Sequence, residues 1–319
     1  MTEIEYRNLG PSGLRVSAIG LGGNNFGRDG TATQTQEGTN AVIGEAFELG
    51  VTFIDTADVY GNGVSESLLG NALKDKRESF VIASKFGHSG FDTGQPSWGA
   101  KASRKYIRNA IDGSLKRLQT DYLDLYQLHT PDPNTPIAET IDALDELVTA
   151  GKILYYGHSN FAGWQIAEAE LAARLAGKRG FVSAQNQYSL LAREVEREVL
   201  PAANRFGLGF LPYFPLHNGL FTGKFSREGG PADSRIMRQR PHIVENAPWD
   251  TMEAFEAWCS DRGITMVQAT FGWLLAQPGL SSVIAGATRP EQLRQNADAA
   301  AWSPTDEEVA AISELFAQP

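Results

Sequence analysis

Four side chains with acid–base chemistry follow three apolar runs in the first half of the chain. The segment Asp55–Tyr60 (DTADVY) comes directly after the apolar run 52–54, which the pattern predicts to be a buried strand. Lys85 ends a second apolar run, and His129 follows a third. If these strands are parallel neighbours, a carboxylate, a phenol, an ammonium and an imidazole open onto one rim, where parallel α/β folds carry their chemistry.

The residue types predict a proton donor beside a positive charge. A lysine that closes an apolar strand is costly to bury unless it is paired, and Asp55 is the obvious counter-ion for Lys85. The ammonium of Lys85 would lower the pKa of the Tyr60 phenol from its ordinary value of about 10 and make it a better acid. His129 could donate a hydrogen bond to a substrate carbonyl oxygen. This set suits carbonyl reduction, because the incoming hydride leaves an alkoxide that must be protonated.

Each of these residues also has a plain structural explanation. Asp55 and Lys85 could form a structural ion pair, and Tyr60 could be a packing aromatic. His129 could be a hydrogen-bonded residue at a strand end. Their coincidence at three consecutive strand ends favours chemistry over four unrelated structural roles. His88 and His129 with Asp55 lack metal-ligand spacing, so we expect no metal site. No Gly-x-Ser-x-Gly segment precedes a helix pattern, so a serine hydrolase is not favoured.

Strand and helix patterns alternate along the rest of the chain. A predicted hairpin, Glu3–Val16, precedes strands at 17–21, 52–54, 80–84, 122–128, 153–156, 182–186, 209–213 and 282–285. Predicted helices span 39–49, 65–73 (with Ser65 as cap), 104–118, 137–150, 164–175, 194–206, 251–262, 266–276, 290–300 and 306–316. Eight strand–helix units predict an α/β fold, a (β/α)₈ TIM barrel with an N-terminal hairpin and extra helices near the C-terminus.

A doubly wound open sheet is the rival fold. The segment GLGGNNFG lacks the Gly-x-Gly-x-x-Gly spacing of a dinucleotide fingerprint, which favours the barrel. Its glycines, Gly23 among them, could instead let the backbone approach a ligand or turn tightly. No shift in composition marks a boundary, so we predict one domain over residues 1–319 with a long loop, either functional or mobile, at about 215–248.

Composition excludes several classes of partner. The chain has 319 residues, a net charge of −10 and no block of lysine and arginine, so nucleic acid is not an expected partner. The apolar runs are too short to span a membrane, and the start MTEIEYRNLG does not have the pattern of a signal peptide. Cys259, the single cysteine, suits a reducing cytoplasm. The acidic surface leaves an oligomer possible.

Longer segments resemble the aldo-keto reductase superfamily over nearly the whole chain. They are RNLGPSGLRVSAIGLGG, DTADVYGNGVSE, the strand ending at Lys85, DLYQLH, GHSNF, QNQYSLL, GLFTGK and GATRPEQLRQNA. The chain is most similar to the bacterial branch related to the potassium-channel β-subunits. This resemblance implies an NADP-dependent reductase of aldehydes or ketones, built as a (β/α)₈ barrel that binds NADP(H) in an extended form.

The resemblance also implies a role for each matching residue. Tyr60 would be the general acid, Lys85 its pKa-lowering partner, and Asp55 the partner of Lys85. His129 would orient the carbonyl of a small-molecule substrate. The remaining matches are cofactor-binding positions: Gly23, Asp55, Ser159, Asn160, Gln185, Tyr213, Phe214, Pro215, Leu216, Lys224, Arg235, Gly286, Thr288, Gln292, Gln295 and Asn296, with Arg289 as a further phosphate partner. Without the resemblance, the later positions would suit ordinary loop and cap chemistry, such as Thr288 capping a helix.

Four residues depart from the family pattern, and a fifth, His129, bears on the alternative function. Phe214 replaces a serine, Gln292 stands where many relatives carry arginine, and His217 and Asn218 replace small residues. The predicted substrate pocket comprises Asn25, Phe26, Trp98 and His217. The alternative hypothesis is an NADP(H)-binding regulatory subunit with little turnover. His129 argues against it, since the resemblance implies asparagine there in the channel subunits.

Overall fold

The chain opens with a short antiparallel hairpin that precedes the main sheet. The computed structural model describes residues 4–91, 99–232 and 234–317. Strands β1 (Tyr6–Asn8) and β2 (Arg15–Ser17) pair in register, so that Tyr6 lies opposite Ser17. The turn between them places Gly10, with a positive φ of 55°, where a Cβ atom would lie 2.3 Å from the carbonyl oxygen of Val182. The predicted hairpin is thus confirmed, and it packs directly against the main sheet.

The main sheet has eight parallel strands. In chain order they are β3 (Ile19–Gly22), β4 (Phe53–Asp55), β5 (Val81–Phe86), β6 (Leu123–Leu128), β7 (Ile153–Ser159), β8 (Ser183–Gln185), β9 (Gly209–Phe210) and β10 (Val283–Gly286). From β3 to β9 each strand pairs with the next in sequence, and β10 pairs with β3, so that β9 and β10 are the two edges. Single parallel bridges from Phe210 to Leu280 and from Tyr213 to Ile284 join the two edges. This closure confirms the predicted (β/α)₈ fold.

Helices cover the outside of the sheet. They are α1 (Gln36–Leu49), α2 (Val64–Leu73), α3 (Arg104–Leu118), α4 (Ile137–Thr149), α5 (Gly163–Leu175), α6 (Val199–Phe206), α7 (Arg235–Gln239), α8 (His242–Glu245), α9 (Trp249–Ser260), α10 (Met266–Leu275), α11 (Pro290–Ala299) and α12 (Asp306–Leu315). No helix in the described ranges is long and apolar enough to cross a membrane. The extra helices predicted near the C-terminus correspond to α9 and α12, whereas α7 and α8 lie in the segment predicted to be a long loop.

Two predicted helix boundaries are wrong. Ser65 does not cap α2, because the helix begins at Val64 after Gly63, which has a left-handed backbone. Ser65 is instead buried and donates a hydrogen bond of 2.9 Å to the carbonyl oxygen of Gly23. The predicted helix 194–206 is divided into a 3₁₀ turn at 194–196 and α6. The long segment 215–248 is also partly helical, since it contains a 3₁₀ segment at 217–222 and both α7 and α8.

Two layers of side chains fill the inside of the sheet, an apolar layer and, above it, a layer of polar residues. The lower layer is a closed apolar cluster: Leu9 and Val16 from the hairpin with Phe53, Ala83, Leu125, Leu211 and Ile284. Residues two apart on a strand face the same side. Phe53 stands two residues before Asp55, Ala83 two before Lys85, and Leu125 two before Gln127. The polar side chains thus form the next layer toward the carboxyl ends of the strands.

Candidate active site

A buried ion pair lies at the centre of the polar layer. Asp55 is the last residue of β4, and Lys85 stands near the end of the neighbouring β5. Lys85 Nζ donates to Asp55 Oδ2 at 2.6 Å and to the carbonyl oxygen of Thr56 at 2.9 Å. Burial alone would lower the pKa of the Lys85 ammonium, but Asp55 and Tyr60 together raise it above its ordinary value. The amine therefore stays charged, as the sequence predicts.

Two glutamines hold the carboxylate from its other side. Gln185 Nε2 donates to Asp55 Oδ1 at 2.9 Å, and Gln127 Nε2 approaches the same oxygen at 3.3 Å. Gln185 was predicted to hold the cofactor, whereas its side chain here also orients Asp55. Gln127 was missed. The signal was present in LDLYQL, because a glutamine that alternates with apolar residues on a wholly buried strand needs a partner.

Tyr60 meets this pair from the loop after β4. It begins a 3₁₀ segment, Tyr60–Gly63, and its hydroxyl oxygen lies 3.4 Å from Lys85 Nζ. Burial raises the pKa of Tyr60, while Lys85 lowers it and Asp55 raises it. The sign of the lysine's effect is as predicted. The net shift is the reverse of the prediction, because burial outweighs the ammonium and the phenol stays protonated.

His129 faces the phenol from the end of β6. Its ring meets the ring of Tyr60 edge-on, with centroids 5.9 Å apart, and the ring of His88 lies 4.9 Å away on another side. Burial, helped by the charge of Lys85 and by His88, holds the pKa of His129 well below its usual range. The imidazole is therefore neutral, and its Nδ1 has no hydrogen-bond partner among the described residues. A neutral imidazole can donate one hydrogen bond to a carbonyl oxygen.

Three of the predicted cofactor-binding residues form one hydrogen-bonded group at the ends of β7 and β9. Asn160, whose φ is 62°, donates to the hydroxyl oxygen of Ser159 at 3.1 Å and to the carbonyl oxygen of His129 at 2.9 Å. The hydroxyl of Tyr213 donates to Asn160 Oδ1 at 2.8 Å. The left-handed backbone, which asparagine tolerates well, turns the amide back toward His129.

The loop after β9 has unusual backbone geometry at the positions that depart from the family pattern. Phe214, His217 and Asn218 all have positive φ angles, of 53°, 46° and 61°. Such angles are uncommon outside glycine and mark a conformation imposed by its surroundings. Of the other predicted positions in this segment, Pro215 is buried, Leu216 packs against the apolar core and Lys224 is exposed.

The predicted segment at the end of β10 lies beside the loop after β3. A Cβ atom on Gly286 would lie 3.0 Å from Asn25 Nδ2, so these two loops are in contact. The backbone N–H and hydroxyl of Thr288 both donate to Gln292 Oε1, at 2.8 and 3.0 Å. Thr288 is not the helix cap, since that position is Arg289. Gln295 is exposed and Asn296 is buried on the same helix.

Gly23 and the residues predicted to line the substrate pocket lie in different surroundings. A Cβ atom on Gly23 would meet Ser65 Oγ at 3.1 Å and the carbonyl oxygen of Asp55 at 3.2 Å, so close packing explains this glycine without a ligand. Phe26 is completely buried in the apolar core, and its ring reaches no solvent-open pocket. His217 Nδ1 lies 3.3 Å from Ser189 Oγ. Trp98 lies outside the described residues.

No cluster of metal ligands accompanies these groups in the described ranges. Among residues 4–91, 99–232 and 234–317, no three histidine, cysteine, aspartate and glutamate side chains are arranged to hold a metal ion. His88 and His129 approach each other by their rings, but Asp55 is engaged by Lys85, Gln127 and Gln185.

The known proteins that resemble this chain include oxidoreductases and a potassium channel subunit. A model of the aldo/keto reductase family matches residues 18–317. The oxidoreductase YrpG of Bacillus subtilis strain 168, described as uncharacterized, is 37% identical over 99% of this chain and 97% of its own length. A probable voltage-gated potassium channel subunit beta from Oryza sativa subsp. japonica is 34% identical over 92% of this chain and 90% of its own. L-glyceraldehyde 3-phosphate reductase of Escherichia coli strain K12 is 33% identical, over 93% and 88%.

Proposed function

The chain belongs to the aldo/keto reductase family, and on that premise we propose that it reduces an aldehyde or ketone to an alcohol with NADPH, with Tyr60 as the general acid. One observation carries the proposal. The ammonium of Lys85, held by Asp55 at 2.6 Å, lies 3.4 Å from the phenolic oxygen of Tyr60. A positive charge at that distance stabilises the phenolate that remains after the proton has left.

The chain's own groups divide the work of protonation. When bound, the nicotinamide supplies the hydride that the carbonyl carbon accepts. The phenol of Tyr60 is protonated before reaction, because its pKa lies above the ordinary value. It gives that proton to the oxygen as negative charge develops there, while Lys85 offsets the charge left on the phenol. Neutral His129 donates a hydrogen bond to the same oxygen and aligns it.

The residues at the other strand ends fit a dinucleotide phosphate. Ser159, Asn160 and Gln185 offer hydroxyl and amide groups for the carboxamide, and the partly buried ring of Tyr213 offers a flat face. Arg235 has a buried Nε without a hydrogen-bond partner among the described residues, which suits a phosphate oxygen. Thr288, Gln292, Gln295 and Asn296 would hold the adenosine end. The proposed cofactor is therefore NADP(H).

The proposed substrate is a small carbonyl compound, and the proposed location of the protein is the cytoplasm. The single cysteine, Cys259, is buried, and burial raises the pKa of its thiol to about 12, so it is not a reactive nucleophile. A thiol of this kind requires no oxidising compartment. The net charge of −10 gives no support for binding nucleic acid.

A regulatory, cofactor-binding role is the second candidate. The rice relative named as a potassium channel subunit favours it. The neutral imidazole of His129, packed edge-on against Tyr60, favours turnover, because a cofactor sensor has no need for a hydrogen-bond donor at the reacting oxygen.

Replacing the phenol tests both candidates. For Tyr60→Phe we expect kcat/KM for a small aldehyde to fall by about 10²- to 10⁴-fold, because the proton donor is removed. The Kd for NADPH should stay within about twofold of the parental value. Tyr122→Phe is the matched control, since that hydroxyl lies at the opposite end of the sheet, 3.0 Å from Glu78 Oε1. Parental turnover by Tyr60→Phe would disprove the role of the phenol. NADPH binding without turnover of any aldehyde by the parental chain would favour the regulatory candidate.

A further inference from the structure

Arg28 stands near the phenol of Tyr60 and has no charged partner among the described residues. Arg28 lies in the loop after β3, and its Nη2 donates to the side-chain oxygen of Asn24. The loop after β3 also touches the segment that carries Tyr60, because a Cβ atom on Gly61 would lie 3.5 Å from the carbonyl oxygen of Phe26. Asn24, in the same loop, lowers the pKa of the Tyr60 phenol by hydrogen bonding. Only one amide therefore separates the guanidinium of Arg28 from the proton donor. The Nη1 atom of Arg28 is buried and has no hydrogen-bond partner in the described part of the chain.

Further arginines approach Arg28 from the segment after β9. Arg240 Nη1 donates to Asn218 Oδ1 at 3.0 Å, and the Nε atom of Arg235 is buried and unpartnered among the described residues. Burial first, and then the charges of Arg28 and Arg240, together lower the pKa of Arg235 to about 10. A Cβ atom on Gly30 would lie 3.1 Å from the guanidinium of Arg238, so this segment touches the loop that carries Arg28.

No acid neutralises this cluster within the described residues. Arg28, Arg235 and Arg240 take part in none of the ion pairs there, although the chain has 38 acidic and 28 basic residues. Half-buried guanidinium groups that repel one another, have no acidic partner and leave some N–H groups unpaired are unfavourable by themselves. Their arrangement becomes favourable when an anion supplies the missing acceptors, because planar guanidinium forks match carboxylate and phosphate oxygens.

We propose that Arg28, supported by Arg240, binds a carboxylate or phosphate group of the carbonyl substrate and so selects anionic aldehydes or ketones. The inference rests on the proposed function and adds the substrate class. Arg28 contacts Asn24, and the side chain of Asn24 also interacts with the hydroxyl of Tyr60. An anionic group bound to Arg28 would therefore lie near the carbonyl that Tyr60 protonates. Arg235 is assigned to a phosphate of the cofactor. Because Arg28 could also bind a cofactor phosphate, the experiment distinguishes binding of the substrate's anionic group from binding of the cofactor.

The experiment compares aldehydes that differ in charge but not in chain length. Succinic semialdehyde is set against butanal, and glycolaldehyde phosphate against glycolaldehyde, in steady-state assays of NADPH consumption. The variants are Arg28→Met, which keeps the length of the stem, and Arg28→Lys, which keeps the charge. Arg227→Met is the control, because that exposed arginine is already paired with Asp250 and Glu253. The Kd for NADPH is measured for every variant by fluorescence titration.

The expected result is a preference of the parental chain for the anionic member of each pair by at least about tenfold in kcat/KM. Arg28→Met should abolish this preference through KM and leave butanal turnover and the Kd for NADPH within about threefold. Arg28→Lys should restore part of it. Equal turnover of charged and neutral aldehydes by the parental chain would overturn the inference alone. A weaker Kd for NADPH in Arg28→Met with the preference intact would assign the arginine to the cofactor and also overturn it. Absence of turnover with every aldehyde would overturn the proposed function as well.

Discussion

At the scale of single residues, Asp58 is the least expected group near the site. It lies between Asp55 and Tyr60, and its backbone N–H donates to the carbonyl oxygen of Lys85 at 3.2 Å. Its carboxyl group is completely buried, and neither oxygen has a hydrogen-bond partner among the described residues. Burial, followed by the charge of Glu66, raises the pKa of Asp58 to about 7, although Arg117 and Lys101 lower it. The carboxyl group is thus largely neutral below that pH.

The raised pKa of Asp58 predicts a stability that falls with rising pH. The folded pKa lies above the unfolded one, so the native state binds the extra proton between about pH 4 and pH 7, and stability decreases across that window. We expect Asp58→Asn to be more stable than the parent at pH 7.5 by about 2 to 4 kcal/mol, since a shift of one pKa unit corresponds to about 1.4 kcal/mol. The difference should vanish near pH 4.

Urea unfolding at both pH values measures this effect. Asp75→Asn is the control, because Asp75 is exposed and its replacement should change stability little at either pH. A stability difference between Asp58→Asn and the parent that does not change with pH would show that the carboxyl group is ionised in the native state.

Residue types alone were enough to predict that the four central groups lie together, because Asp55, Lys85 and His129 stand at the ends of apolar runs and Tyr60 follows in the first loop. They were not enough for Gln127 or Phe26. Gln127 acts on Asp55 from a strand 72 residues away, a pairing that only the sheet register sets. Phe26 follows glycine and asparagine in a loop that was expected to face the substrate, yet the chain turns its ring into the core.

At the scale of elements, helix packing depends on a few glycines. Gly70 lies on α2, where a Cβ atom would stand 2.5 Å from the carbonyl oxygen of Arg117 at the end of α3. That closeness holds Glu66, on the same helix, against Arg117 Nε at 2.7 Å. Periodicity predicted both helices well. It could not predict the 3₁₀ turn at 194–196 or the helices within 215–248, because short helices are set by tertiary contacts rather than by a repeating pattern.

The same substitution on two helices should have opposite effects. Gly70→Ala should destabilise the fold by about 1 to 3 kcal/mol, because overpacking against backbone atoms exceeds the gain in helix propensity. Gly44→Ala on α1 should stabilise it by about 0.5 to 1 kcal/mol, since no atom lies within 4 Å of a Cβ there. Urea unfolding at 25 °C gives both values. Equal stabilisation by the two variants would mean that α2 and α3 are not in contact.

At the scale of the whole molecule, the residues that stabilise the barrel and the residues of the candidate site lie at different levels along the barrel axis. The hairpin closes the amino-terminal end, where Ser281 Oγ donates to the carbonyl oxygen of Asn8 at 2.9 Å and Leu9 enters the lower apolar layer. The proposed reacting groups lie one layer above, toward the carboxyl ends of the strands. The count and order of strands could be predicted from sequence because each strand–helix unit repeats. The insertion of the hairpin into the barrel interior could not be predicted, since no local pattern places Leu9 in one apolar cluster with residues of distant strands.

This separation predicts a variant that loses stability without losing chemistry. Leu9→Ala should destabilise the fold by about 2 to 5 kcal/mol, because Leu9 is completely buried and its removal leaves a cavity under the polar layer. At 20 °C the folded variant should keep the parental kcat/KM within about twofold, since the cavity touches none of the reacting groups. Leu175→Ala is the matched control, because Leu175 is 89% exposed and should change stability by less than about 0.5 kcal/mol. Thermal unfolding and aldehyde turnover on the same samples measure both quantities. A stable but inactive Leu9→Ala variant would show instead that the lower layer sets the geometry of Asp55 and Lys85 directly.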